Sequence, residues 1–152
     1  MSYGADAPYW YEVIAPEERN RRAELTSDQC IIDQMYFFVR GVIEIPVVDG
    51  DGPFSWGVWV SLSEANFLRA SELWNAPGRE QEPPYFGWLS TEIPGYPSTI
   101  NLKTHVHTRQ VGLCPTIEIE STDHPLANAQ RQGMTMARVQ ELAQQILHED
   151  DD

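Results

Sequence analysis

Basic residues are scarce in this chain: 10 Lys and Arg stand against 23 Asp and Glu in 152 residues, a formal charge of −13. Such a field repels nucleic-acid phosphates and anionic membranes, so neither is expected as a partner, whereas a basic protein is drawn inward. Part of the excess lies in Glu149, Asp150, Asp151 and Asp152, read as an acidic tail, yet without those four acids the charge is still −9. Cysteine is nearly absent as well. Cys30 and Cys114 form no CxxC pair, which argues against a secreted disulfide framework and for two reduced thiols in a cytoplasmic protein. The opening residues MSYGADAPYWYEV carry neither a basic start nor the apolar stretch of a signal peptide. The longest apolar run is broken by Arg40 and Glu44 and cannot span a bilayer. Neither HExxH nor GxSxG occurs, and no catalytic residue is singled out.

What is present is core-forming material. Hydrophobic residues make up 41%, with five Trp, six Tyr and five Phe, enough to exclude disorder and to fill one domain. The expected organisation is a loose N-terminus at 1–8, a single domain at 9–148 and the tail at 149–152. Pro16–Arg22 reads as a short helix, with Pro in its first turn and acids preceding bases. Cys30–Asp33, Met35–Val39 and Val42–Val48 read as strands, followed by a turn at Asp49–Pro53. The next strand alternates Trp56, Val58 and Val60 against Gly57, Trp59 and Ser61; two apolar faces predict a central position.

Ser63 is the expected cap of a helix containing Phe67 and Leu68, and Asn75–Pro84 reads as a loop. Further strands are expected at Tyr85–Leu89, within Ile100–His107 and at Thr116–Glu120, the last with Ile inward and Glu outward. Thr122 or Asp123 is expected to cap a helix over Pro125–Gln132 that Gly133 ends, with His124 held neutral beside its N-terminus. Met136, Val139, Leu142, Ile146 and Leu147 form the stripe of a final amphipathic helix. The pattern predicts an α+β fold with a mainly antiparallel sheet, flanking helices and a C-terminal amphipathic helix.

Five blocks taken in order, FFVRGVIEIPV at 37–47, WGVWVSLSEANF at 56–67, PYFGWLS at 84–90, LKTHVH at 102–107 and TDHPLANAQRQGM at 122–134, carry a family likeness. Together they resemble the bacterial domain-of-unknown-function 2199 family, over about residues 9–148. The resemblance implies a bacterial source and no particular activity. Many members begin with a CxxCG-type segment suited to zinc; this chain has no such cysteines, so that role does not carry over.

Several residues remain as candidates. His105 and His107 project to one face of a strand and are the only pair with the look of metal ligands, with Glu118, Glu120, Asp123 or His124 as a third. Zinc enters only on that reading; otherwise no cofactor is expected. Ser61, Ser63, Ser90 and Cys114 are possible nucleophiles that no motif selects, and Cys114 reads as an inert core thiol. Arg40, inside an apolar run, is expected to pair with Glu44 or Asp33, or else to clamp an anion. Trp74, Trp88 and Tyr96, with Glu118 and Glu120, are the candidate partner-binding residues. The leading expectation is a non-enzymatic, acidic interaction module, of inhibitor or immunity type, for a basic protein partner. The alternatives are a metal-assisted hydrolase using His105 and His107, or a small-molecule binder with an aromatic cleft.

Overall fold

The computed structural model describes residues 2–50 and 52–150. Its strands are β1 (Ser2–Gly4), β2 (Ala23–Leu25), β3 (Gln29–Ile32), β4 (Tyr36–Ile45), β5 (Phe54–Leu62), β6 (Tyr85–Leu89), β7 (Lys103–His107) and β8 (Thr116–Ile119). Its helices are α1 (Tyr9–Glu12), α2 (Arg19–Arg22), α3 (Glu64–Glu72), α4 (Pro125–Gln132) and α5 (Met136–Asp150). The fold is α+β, and its eight-stranded sheet does not stay open. From β4 to β8 each strand pairs antiparallel with the next, and β8 then returns parallel to β4 at Val42↔Thr116, closing a five-stranded barrel. Closure was not expected from a merely antiparallel sheet.

Period-two alternation decides what fills the barrel. Val39, Ile43, Val58, Val60, Leu89, Val106, Ile117 and Ile119 all point inward and are buried. Two inward glycines let the strands approach. A Cβ on Gly41 would lie 2.6 Å from Ile117 Cδ1, where β8 meets β4. One on Gly87 would overlap Val60 Cγ1 and sit 2.8 Å from the Ser61 carbonyl. Leu126 of α4, and Val139 and Leu142 of α5, extend this core, as the amphipathic stripe required. The side chain of Leu147, expected on the same stripe, lies outside the described residues.

The long β4 also carries β3 and β2 along its N-terminal half, while β1 lies parallel to β5. Residues 1–8, expected to be loose, therefore contain a strand, and Ala7 is buried. The polypeptide from there to Ala23 lies over the outer face of β3, β4 and β5. It encloses a second core of Ile14, Cys30, Ile32, Phe38 and Trp59, with the Trp59 indole N–H donating to the Ala5 carbonyl at 3.1 Å. Pro16–Arg22 is a turn of 3-10 helix, Pro16–Glu18, running into α2. Of the acidic tail, Glu149 and Asp150 belong to α5, and positions 151 and 152 lie outside the described residues.

Candidate functional site

The N-terminal segment covers the outside of β3–β5 but not that of β6–β8. There, alternation leaves Phe86 and Trp88 of β6, Lys103, His105 and His107 of β7, and Glu118 of β8 on the outer face. Register sets Phe86 opposite His105 and Trp88 opposite Lys103, with His105 in turn opposite Glu118. Phe86 and Trp88 meet edge to face at 5.2 Å and are 42% and 41% exposed. The Lys103 Nζ lies 6.0 Å from the Trp88 ring centre, and the His105 ring 6.4 Å from that of Phe86. Two large aromatics placed side by side on a barrel wall cannot be core material.

His107 lies one alternation further along, its Nε2 3.1 Å from Glu118 Oε1. The pair borders an open cleft of about 340 Å³ that Glu44, Gln130 and Arg131 also line. Both partners are substantially exposed, so water competes for the contact. Among the described residues, no three His, Cys, Asp or Glu side chains converge in a way that would hold a metal ion. His105 and His107 thus share a face, as alternation predicted, and Glu118 is the carboxylate within reach.

A second surface adjoins the first. Ser61 on β5 is the register partner of Trp88, and it forms one wall of a groove of about 410 Å³ between α1 and the β3–β4 hairpin. Trp10, Val13 and Tyr36 line that groove and are exposed. None of these three was singled out in the sequence. The available signal was the aromatic run Tyr9-Trp10-Tyr11, too many large rings for a helix of four residues to bury. Asp33 closes one end. Its carboxylate accepts two bonds from Arg22, at 2.9 and 2.7 Å, and that guanidinium holds the acid below the usual carboxylate range.

Arg40 pairs with neither expected acid: the β3–β4 register sets it beside Asp28, with Asp33 at the hairpin turn on the other end of β3. Asp33 is taken by Arg22, which the β2–β3 ladder brings alongside, and Glu44 lies 3.9 Å from Arg109. The Arg40 guanidinium instead lies across the outer face, 3.4 Å from where a Cβ on Gly4 or Gly57 would be. Trp74, at the end of α3, is exposed on a different side. It stands beside Arg79, whose guanidinium carbon is 5.7 Å from its ring. Tyr96 packs against the main core under Arg138, at 5.6 Å, and burial raises its hydroxyl pKa. Trp88 and Glu118 therefore share one wall, while Trp74 and Tyr96 stand apart from it. Glu120 continues from the end of β8, half-buried, with its N–H donating to the Lys103 carbonyl.

The cap of α4 is His124 rather than Thr122 or Asp123. Its Nδ1 accepts the Leu126 N–H at 3.0 Å, so Nε2 carries the hydrogen and faces the Pro97 and Ser98 carbonyls. Thr122 supports it by accepting the His124 N–H. Cys114 is only partly buried, with Arg109 Nη2 3.6 Å from its sulfur. No helix among the described residues is long and apolar enough to cross a membrane.

No curated protein and no solved structure matches this chain. A family model does match, over residues 1–134, so that β1 to α4 fall within it and α5 lies beyond. With nearly nine-tenths of its length so matched, the chain belongs to the DUF2199 family, described as an uncharacterized protein conserved in bacteria.

Proposed function

We propose that this protein is a non-enzymatic interaction module of the bacterial cytoplasm that binds a basic protein, in the manner of an inhibitor or immunity protein. The observation that carries the reading is the exposed Phe86–Trp88 pair on the uncovered barrel wall of a chain with a charge of −13. Aromatic anchors supply contact area, and the acidic field speeds encounter with a cationic partner and rejects anionic ones. Native mass spectrometry of the protein gently isolated from its own bacterium tests it. A stoichiometric basic partner, bound less tightly as salt is raised, is the expected result. Absence of any such partner, or an affinity indifferent to salt, overturns it.

A second reading is a metal-assisted hydrolase: His107, Glu118 and Glu44 line one cleft, although no three such side chains converge among the described residues. On that reading His105 and His107 would hold a zinc-like ion, and the chemistry it would supply is polarisation of a carbonyl or phosphoryl group. Metal analysis of the native protein and of the variant carrying His105→Ala and His107→Ala decides it: metal and hydrolysis must disappear together.

A further inference from the structure

We propose that the groove between α1 and the β3–β4 hairpin, continued by Trp88, is the docking site for a cationic segment with an apolar anchor. This rests on the interaction reading above and names the surface and the chemistry of its partner. The groove is large enough for several side chains, at about 410 Å³, and its lining is mainly apolar around Trp10, Val13, Tyr36 and Phe38. Tyr36 and Val13 are 54% and 56% exposed. Apolar side chains left in water at a concave site gain most from a partner that covers them.

Charge selects the occupant. The chain's charge of −13 makes a cationic segment the favoured occupant, and the groove's own charges, Arg22 and Asp33, cancel in an ion pair. The arginines near the groove are already engaged. Arg19 donates to the Ile14 and Glu12 carbonyls, and Arg22 to Asp33. At the other end Lys103 lies beside Trp88. The partner's cations are therefore kept from the Lys103 end, and its apolar anchor lies along Tyr36, Ser61 and Trp88.

The test uses a short amphipathic Lys/Leu peptide, with a Glu/Leu peptide and a Lys/Ser peptide as comparators, followed through backbone amide NMR signals of the full chain. The expected result is that Lys/Leu alone binds and shifts the amides of Val13, Ile32, Asp33, Tyr36 and Ser61. Tyr36→Ser or Val13→Ser, both at exposed positions and checked for folding by circular dichroism, then weakens it about tenfold or more. Lys103→Glu strengthens it. Equal binding of Glu/Leu overturns the charge argument, and shifts elsewhere, unaltered affinity in the variants, or no binding at all overturn the site. Self-association abolished by Tyr36→Ser also overturns it, since the groove is then filled by a second copy. The native isolation separates the two claims: a basic host partner retained equally by wild type and Tyr36→Ser sinks the groove and spares the interaction reading. Peptide docking with no host partner for either protein does the reverse.

Discussion

Arg79 shows how an isolated charge is kept inside this protein. It is 8% exposed and has no carboxylate partner among the described residues. Its guanidinium instead donates to the carbonyls of Trp74, Arg109, Gln110 and Leu113, at 2.7–3.0 Å, tying the segment after α3 to the loop before β8. A planar fork can reach acceptors on separate segments; an ammonium on a flexible stem cannot hold the same set. Arg79→Met should therefore cost about 2–4 kcal/mol, and Arg79→Lys should recover little of it, measured by urea unfolding. A full recovery by Lys would mean that charge alone matters there. Cys30 gives a pH signature. Fully buried, its thiol is pushed up from 9.0 to about 11 by desolvation. The folded state then keeps a proton that the unfolded state loses, so stability is untouched by this group below about pH 9 and declines between 9 and 11. Stability should fall across that window by up to about 2–3 kcal/mol on this account. Tyr85, raised to about 12 by burial and by its bond to Glu82, adds a later decline above pH 10. Comparing denaturant midpoints of wild type and Cys30→Ala against pH isolates the thiol's share; parallel curves would refute it.

At the level of elements, one tight constraint is glycine where paired strands pack closely. Gly87 faces inward against Val60 and the Ser61 carbonyl, and the carbonyl cannot move without disturbing the β5–β6 ladder. Gly87→Ala should destabilise by about 1–3 kcal/mol, visible as a lower midpoint in thermal unfolding with the secondary structure retained. His124→Ala removes the α4 cap and the link to Pro97 and Ser98, and should cost about 1–2 kcal/mol by the same measurement. These positions also mark what the sequence made legible. Alternation over Trp56–Ser61 and Thr116–Glu120 identified inward and outward faces correctly, and Ser63 caps α3 through the Asn66 N–H as expected. Alternation tells which face a residue occupies, not which strand lies beside it. Barrel closure depends on β8 reaching β4 across more than seventy residues, through a pairing as small as Val42↔Thr116, and no local pattern encodes that. The same limit hid the groove. Trp10 and Tyr36 are neighbours only because the N-terminal segment folds back over β3–β5, and Arg40 is out of reach of Asp33 because the β3–β4 register sets them at opposite ends of the hairpin.

For the molecule as a whole, charge acts on folding and on binding in opposite directions. A compact chain of this length has a radius of gyration of about 15 Å. At about 0.01 M salt the screening length, roughly 30 Å, exceeds that radius, and all the surplus acids repel one another. At physiological salt it shrinks to about 8 Å and only near neighbours interact. Salt also weakens exposed ion pairs such as Arg21–Glu18 and Arg138–Glu141, but each of these contributes only a few tenths of a kcal/mol. With a net charge of −13, relief of repulsion outweighs that loss, so sodium chloride should raise the melting temperature by about a few degrees between those concentrations. The same addition should weaken the Lys/Leu peptide, whose attraction depends on that field. Calorimetry and peptide titration at matched salt concentrations read both effects on one sample. If melting temperature and affinity rise together, apolar burial governs the groove and the acidic field plays no part in choosing what fills it. If they move apart, the charge that costs the fold stability is the charge that selects the partner.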